Sequence, residues 1–227
     1  MTRLSFHAEL EKTELELLSL GELAATAVQR SIEALAQHDD EKARAVIDAD
    51  DPIDELYLKI DSDVLRMLAL QSPVAEDLRL ISAILHCDLH LERIGDQAVN
   101  VAKLYLATKD ARGSEPMRQQ LEEMGNHVVT MVRTALEAFG RRDLDLVLRV
   151  PAMDDPVDRL NRTTHLEALK LADDPAQLDW GLHMNMAARA LERVGDNAVD
   201  IAEQVGFLIT GEFREFTDAS HPVVLDR

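Results

Sequence analysis

Residues 91–96 read Leu91-Glu92-Arg93-Ile94-Gly95-Asp96, and the chain repeats this stretch 100 positions later as Leu-Glu-Arg-Val-Gly-Asp at 191–196. Each copy carries one acid and a second acid four residues further on. Residues four positions apart lie on the same face of an α-helix, so each copy predicts two carboxylates side by side. A repeat of this length predicts that the chain consists of two similar halves.

Composition favours a helical protein in each half. The 227 residues are 46% hydrophobic and only 4% aromatic, and Leu, Ala, Glu, Asp and Arg are abundant. The net charge of −19 argues against nucleic acid or an anionic membrane as a partner, because binding to either requires cationic patches. We therefore expect any association with a membrane to be indirect, through partner proteins.

The single cysteine, Cys87, excludes an intramolecular disulfide and favours a reducing compartment. The N-terminus lacks the apolar core of a signal peptide, and the sequence contains no apolar run of about 18 residues. These observations predict a soluble cytoplasmic protein.

The hydrophobic pattern predicts the same order of helices twice. In the first half it predicts helices over about 4–37, 41–70 and 74–107, with a turn at Pro73. Pro52 interrupts the second of these, so either a new helix begins there, capped by Asp51, or a long helix kinks. The stretch Asp-Asp-Pro-Ile-Asp at 50–54 recurs as Asp-Asp-Pro-Val-Asp at 154–158, which predicts the same irregularity at Pro156.

From this pattern we predict an all-α protein made of two tandem, similar three-helix bundles. The first bundle comprises residues 1–110 and the second residues 111–212. A tail over residues 213–227 follows, which has little hydrophobic pattern and which we expect to be partly disordered.

The acids of the first half lie at matching levels in the predicted hairpin. When two antiparallel helices are joined at Pro73, residues at equal distances from the turn lie side by side. Asp54 and Glu92 are each 19 residues from Pro73, and Asp50 and Asp96 are each 23 residues from it. The sequence therefore predicts that these four carboxylates face one another.

The second half keeps this match although its hairpin is shorter by two residues in each arm. Asp158 and Glu192 are each 17 residues from Pro175, and Asp154 and Asp196 are each 21 residues from it. At about 1.5 Å per residue, both groups of acids lie about 25–30 Å from their turns, near the middle of each bundle.

A solvated acidic face is the simplest explanation of one such pair, since exposed like charges at this spacing repel by only a few tenths of a kcal/mol. Glu92, however, lies beside the apolar stripe that contains Leu89 and Val99. In such a groove, four carboxylates about 6 Å apart repel by roughly 3 kcal/mol per pair at an effective dielectric constant of about 20. Protons, a basic side chain or metal ions must neutralise them. Arg93 and Arg193 point away from the neighbouring Glu, so metal is favoured.

The donor set indicates the class of metal. Ligands that are all oxygen select Mg, Ca, Mn or oxidised iron over a closed structural zinc site. The Glu-x-x-His element of a ferritin-type di-iron site is absent. Asn100 and Asp200 continue the acidic face by one turn, and the sequence leaves open whether they join the sites.

Three other features have simpler interpretations. Gly95 and Gly195, in mid-helix, are expected to permit close approach of neighbouring helices. Asp88 and Cys87 are expected to be ordinary, partly buried positions. The sequence contains no Gly-rich phosphate loop, nucleophile elbow or Ser/His/Asp grouping, so we predict that the protein is not an enzyme.

The doubled Glu-Arg-(Ile/Val)-Gly-Asp stretch, the Asp-x-x-(Ile/Val)-Asp before each copy and Ser-Pro-Val-Ala-Glu-Asp-Leu-Arg at 72–79 together resemble the bacterial PhoU family. The resemblance covers roughly residues 5–215. It implies two three-helix bundles, and it implies metal on the repeated acids, with iron expected first and manganese, magnesium or zinc as alternatives. The implied ligands are Asp50, Asp54, Glu92, Asp96, Asp154, Asp158, Glu192 and Asp196. The sequence departs from the family pattern at the second turn, which reads Asp-Asp-Pro-Ala at 173–176.

The resemblance also implies a function. It implies a cytoplasmic, homodimeric adaptor that controls phosphate uptake and homeostasis and represses the phosphate-starvation response. The implied partners are the ATPase subunit of the phosphate ABC transporter and a sensor histidine kinase. Two alternatives remain open at this point: a metal-free helical scaffold, and a carboxylate-metal enzyme such as a phosphohydrolase.

Overall fold

The computed structural model describes residues 3–214, which form eight α-helices and one short 3-10 helix over Pro151–Met153. The α-helices are α1 (Arg3–Gln37), α2 (Asp40–Asp48), α3 (Asp51–Leu70), α4 (Glu76–Ala107), α5 (Glu115–Arg141), α6 (Leu144–Arg149), α7 (Asp154–Leu169) and α8 (Pro175–Thr210). The predicted all-α class is confirmed. Most of the predicted tail, residues 215–227, lies outside the described residues.

Each half is a three-helix bundle whose second helix is broken. In the first half α1 packs against α4, and α2 and α3 together form the third member. In the second half α5 packs against α8, with α6 and α7 in the equivalent place. The prediction of two tandem, similar three-helix bundles is therefore confirmed.

The break in the first half follows the first of the two predicted alternatives. α2 ends at Asp48, and α3 begins at Asp51 with Pro52 in its first turn. A proline is accommodated there because the first N–H groups of a helix have no intrahelical partner. Asp50, one residue earlier than the predicted cap, occupies the cap position, and its side chain makes no capping hydrogen bond. The carboxylate of Asp50 is therefore left available to the acid cluster.

The break in the second half begins before Pro156, the residue at which the sequence predicted it. A 3-10 turn over Pro151–Met153 separates α6 from α7, and Pro156 lies in the first turn of α7. The expected irregularity is present, but Pro151, which the sequence analysis did not consider, begins it. Pro151 has no backbone N–H group, so it cannot donate the next hydrogen bond that would extend α6.

The two halves pack against each other through α1 on α5 and α4 on α8. Both pairs are antiparallel, and a glycine of each half faces a large apolar side chain of the other half. A Cβ atom added at Gly21 would clash with Leu136, and one added at Gly125 would clash with Ile32. Because Gly125 and Leu136 are the repeat equivalents of Gly21 and Ile32, the two halves are related by an approximate two-fold rotation.

One continuous apolar core runs through both halves, and it consists mainly of Leu, Ile, Val, Ala and Met. The low aromatic content is compatible with this core because branched and small aliphatic side chains fill the narrow space between closely packed helices. Across residues 3–214, no helix is both long enough and apolar enough to cross a bilayer.

Candidate functional site

The structure brings the four predicted acids of the first half together. Asp50 precedes α3, Asp54 lies in its first turn, and Glu92 and Asp96 lie on α4. Burial, followed by the charges of Asp54 and Asp96, raises the pKa of Asp50. Burial, followed by the charges of Asp96 and Asp54, raises the pKa of Glu92. The side-by-side arrangement predicted from the distances to Pro73 is therefore present.

The second half repeats this cluster with deeper burial. Burial, followed by the charges of Asp196, Asp158 and Glu192, raises the pKa of Asp154 to about 6. Burial and then the charge of Glu192 raise the pKa of Asp196. The Oδ1 atom of Asp154 is buried and has no hydrogen-bond partner among the described residues. A buried carboxylate oxygen without a partner is costly, and a cation would relieve that cost.

The glycine of each repeated stretch makes room for the cluster. A Cβ atom at Gly195 would lie 2.6 Å from Oδ1 of Asp154. A Cβ atom at Gly95 would lie 3.1 Å from two methyl carbons of Ile53 and 3.9 Å from Oδ1 of Asp50. The predicted role of these glycines in close helix approach is confirmed.

We expect Gly195→Ala to move the carboxylate of Asp154 out of its buried position, because the added methyl group occupies the space of Oδ1. In metal-depleted protein, the pKa of Asp154 should then fall from about 6 toward its ordinary value of 3.8. NMR titration of the aspartate carboxyl carbons measures this fall. Gly140→Ala is the control, because its Cβ meets Leu18 only at ordinary van der Waals distance. An unchanged pKa in Gly195→Ala would contradict the prediction.

The clusters contain the right donors for a hard cation, but the side chains are not arranged around one. Within residues 3–214, no group of three or more His, Cys, Asp or Glu side chains is placed so that it could hold a metal ion. Asp54 and Asp96 are exposed at the protein surface. Carboxylates without a counter-charge lower their mutual repulsion by turning toward water. Metal binding by the eight acids therefore requires side-chain rotation and stays a prediction.

Asp88 is a member of the first cluster that the sequence analysis missed. Its side chain is only 1% exposed, and neither carboxylate oxygen has a hydrogen-bond partner among the described residues. Burial, followed by the charges of Asp61 and Glu92, raises its pKa to about 8. The expectation of an ordinary, partly buried position is wrong for Asp88, and Cys87 is also fully buried. The available signal was spacing, since Asp88, Glu92 and Asp96 follow one another at intervals of four residues.

Asn100 and Asp200 lie at the contact between α4 and α8. Oδ2 of Asp200 is 3.4 Å from Nδ1 of His90, which belongs to the other half. Asn100 lines a groove between the two helices. The charge of Asp200 also contributes to the raised pKa of Asp196, so Asp200 lies near the second cluster as well.

The profile of the PhoU domain matches residues 17–105 and again residues 121–205. The chain belongs to the PhoU family. The two matched segments correspond to the two halves of the structure, one PhoU repeat in each. The eight acids and Asp88 all lie within them.

Relatives and solved structures agree with this assignment. The "Phosphate-specific transport system accessory protein PhoU homolog" of Pseudomonas aeruginosa is 37% identical over 95% of this chain and 88% of that protein. The crystal structure of PhoU from Pseudomonas aeruginosa has a TM-score of 0.86 and 38% identity, and the match covers 91% of this chain and 100% of that one. The crystal structure of the phosphate transport system regulatory protein PhoU from Streptococcus pneumoniae has a TM-score of 0.84 and 29% identity, over 92% of this chain and 99% of that one.

Proposed function

We propose that this chain is a regulatory accessory protein of a phosphate transport system, and that it represses the phosphate-starvation response. The observation that carries the proposal is similarity along almost the whole chain to proteins named for that role, with 37% identity over 95% of its length for one of them. On this proposal it works in the cytoplasm as a homodimer. It links the ATPase subunit of the phosphate ABC transporter to a sensor histidine kinase.

The surface favours a protein that works by being bound. A net charge of −19 gives long-range attraction to basic partner surfaces, and the rate of association with them should fall as salt concentration rises. Metal ions in the two clusters would neutralise the acids and tie α3 to α4 and α7 to α8. Variants that lose the metal should therefore lose partner binding before they lose their fold.

The tip of the α3–α4 hairpin is the proposed docking face. Leu70, Val74 and Leu78 are 62%, 65% and 46% exposed, although all three are large and apolar. Single exposed apolar residues are common, but several at one turn indicate an interaction surface. The α7–α8 tip also exposes Leu166 and Leu169, at 57% and 55%, but its turn adds two acids, Asp173 and Asp174. The two tips therefore differ in chemistry, and we assign docking to the first.

A deletion strain tests the function. Without the protein, phosphate-starvation genes should stay expressed in phosphate-rich medium, and the wild-type gene should restore repression. Leu70→Ser with Val74→Ser should fail to restore it and should no longer co-purify the transporter ATPase or the kinase. The control, Leu166→Ser with Leu169→Ser, changes residues of similar exposure in the second half and should behave as wild type.

Normal repression in the deletion strain, with neither partner co-purifying with the wild-type protein, would overturn the regulatory proposal. The metal-free scaffold would then be the better account. Repression that is lost equally in the control variant would instead remove the assignment of the first tip as the docking face.

A further inference from the structure

A groove of about 600 Å³ lies between α4 and α8, beyond Gly95 in the direction of Ala107. Three cationic side chains line it: Lys103 on α4, and Arg189 and Arg193 on α8. Leu104, Met186 and other apolar residues line the same groove. A groove of this volume lies in the range typical of small-molecule sites. Its lining combines positive charge with apolar surface in a chain that is otherwise strongly acidic.

The other end of the same helix pair has a different lining. Because α4 and α8 are antiparallel repeat equivalents, each groove residue has a counterpart at the opposite end of their contact. Lys103 corresponds to Glu203, which is buried. Ala190 corresponds to His90, whose Nδ1–H donates to Oδ1 of Asn197 at 2.8 Å. The opposite end therefore carries a buried acid where the groove carries Lys103, and a hydrogen-bonded histidine where the groove carries Ala190.

The cations of the groove differ in how far they are already paired with acids. The charge of Lys103 acts to lower the pKa of Asp50, and the charge of Arg193 acts to lower that of Asp196. Neither Lys103 nor Arg193 forms an ion pair within 4.0 Å with any residue between 3 and 214. Arg189 has one acidic neighbour, Glu192, whose Oε2 is 3.6 Å from its Nη1. The Arg189 side chain is 64% exposed but that of Glu192 only 23%, so Arg189 is already partly neutralised. Lys103 and Arg193 therefore supply most of the positive charge that the groove offers to an anion.

We propose that this groove binds a nucleotide that carries two or more phosphates. Arg189 and Arg193 lie one helical turn apart, with Cβ atoms about 6 Å from each other, so they can contact neighbouring phosphoryl groups. Guanidinium groups bind phosphate oxygens in a bidentate manner, and Lys103 adds a third charge from the facing helix. The side chains of Leu104 and Met186 provide the apolar surface on which a base packs.

Inorganic phosphate alone does not explain the groove. It is far smaller than the groove, and it uses none of the apolar lining. A nucleotide site would be an additional property, beyond the regulatory function proposed above. Its test is independent of that function, because nucleotide binding is measured on the purified chain without any partner protein. Failure of one proposal therefore leaves the other standing.

Isothermal titration calorimetry of the full chain, at low salt and without divalent ions, tests the site. ADP and ATP should bind, and inorganic phosphate and adenosine should each bind at least about tenfold more weakly. Lys103→Gln with Arg193→Gln should weaken ADP binding by about tenfold or more. Arg93→Gln changes the repeat equivalent of Arg193 at the opposite end, and it should leave ADP affinity unchanged.

Several outcomes would overturn the assignment. Equal affinity for ADP and adenosine would remove the role of the phosphates. An equal loss in Arg93→Gln would show diffuse charge attraction instead of a site, and absence of ADP binding would end the proposal. An acidic peptide that binds more tightly than ADP, with the same dependence on Lys103 and Arg193, would make the groove a peptide-binding surface. Circular dichroism should show that these exposed substitutions leave the fold intact.

Discussion

Replacing Glu92 by Gln and Asp96 by Asn together should lower the metal content of the purified protein by about half, because one of two independent carboxylate clusters loses two ligands. Gln and Asn match the size of the acids and remove their mutual repulsion, so the variant should remain folded. Total metal analysis of protein purified without chelator measures the change. The second cluster should remain loaded.

Two further variants make this test specific. Asp154→Asn with Asp196→Asn should lower the metal content by the same amount and leave the first cluster loaded. Glu122→Gln with Glu123→Gln removes two acids from α5, away from both clusters, and should leave the metal content unchanged. Unchanged stoichiometry in both cluster variants would show that the acids form a solvated face.

The sequence predicted the positions of the cluster acids well because their placement depends on few assumptions. Helical periodicity places Glu92 and Asp96 on one face, and the turn at Pro73 sets which residues of α3 lie opposite them. An error of one or two residues at a helix end, such as the start of α4 at Glu76, does not alter that register. The eight acids therefore meet as expected, in both halves.

The features that the sequence did not predict depend on contacts between elements. Asp88 is buried because α3 and the neighbouring helices cover its part of α4. Its spacing from Glu92 and Asp96 indicates that the three acids share a helix face, but not that other helices cover that part of the face. The groove beside Lys103 and Arg193 exists only because α4 packs against α8, and the order of the helices does not determine that pairing. Tertiary packing thus decides the environment of residues whose secondary structure the sequence predicts correctly.

The stability of metal-depleted protein should fall as pH rises through the range set by Asp88. Its pKa is about 8 in the folded protein and 3.8 in an unperturbed side chain. Below pH 3.8 the Asp88 carboxyl is protonated in both the folded and the unfolded protein, so it does not lower the free energy of unfolding. Between the two values only the unfolded chain ionises, and each pH unit costs up to about 1.4 kcal/mol. Above pH 8 or so, Asp88 is ionised in both states, and the loss of stability no longer grows with pH.

Asp88→Asn should remove this dependence, because the amide does not ionise. The difference in unfolding free energy between the variant and the parent should therefore move in favour of the variant as pH rises from about 4 to about 8, and then level off. Urea unfolding at several pH values in the presence of a chelator measures it. Asp63→Asn, an acid on α3 that is paired with Lys59, is the control and should lack this rise. Parallel curves for Asp88→Asn and the parent would contradict the prediction.

Bound metal should change the pH dependence of stability that urea unfolding measures. A cation bound to Glu92 would place positive charge near Asp88 and would lower its pKa, since an opposite charge favours the ionised form. Addition of Mn²⁺ to the parent protein should therefore narrow the pH range over which stability is lost. Addition of Mn²⁺ to the Glu92→Gln, Asp96→Asn variant should leave that range as it is in the metal-depleted variant. A range that narrows equally in both proteins would place the bound cation away from the first cluster.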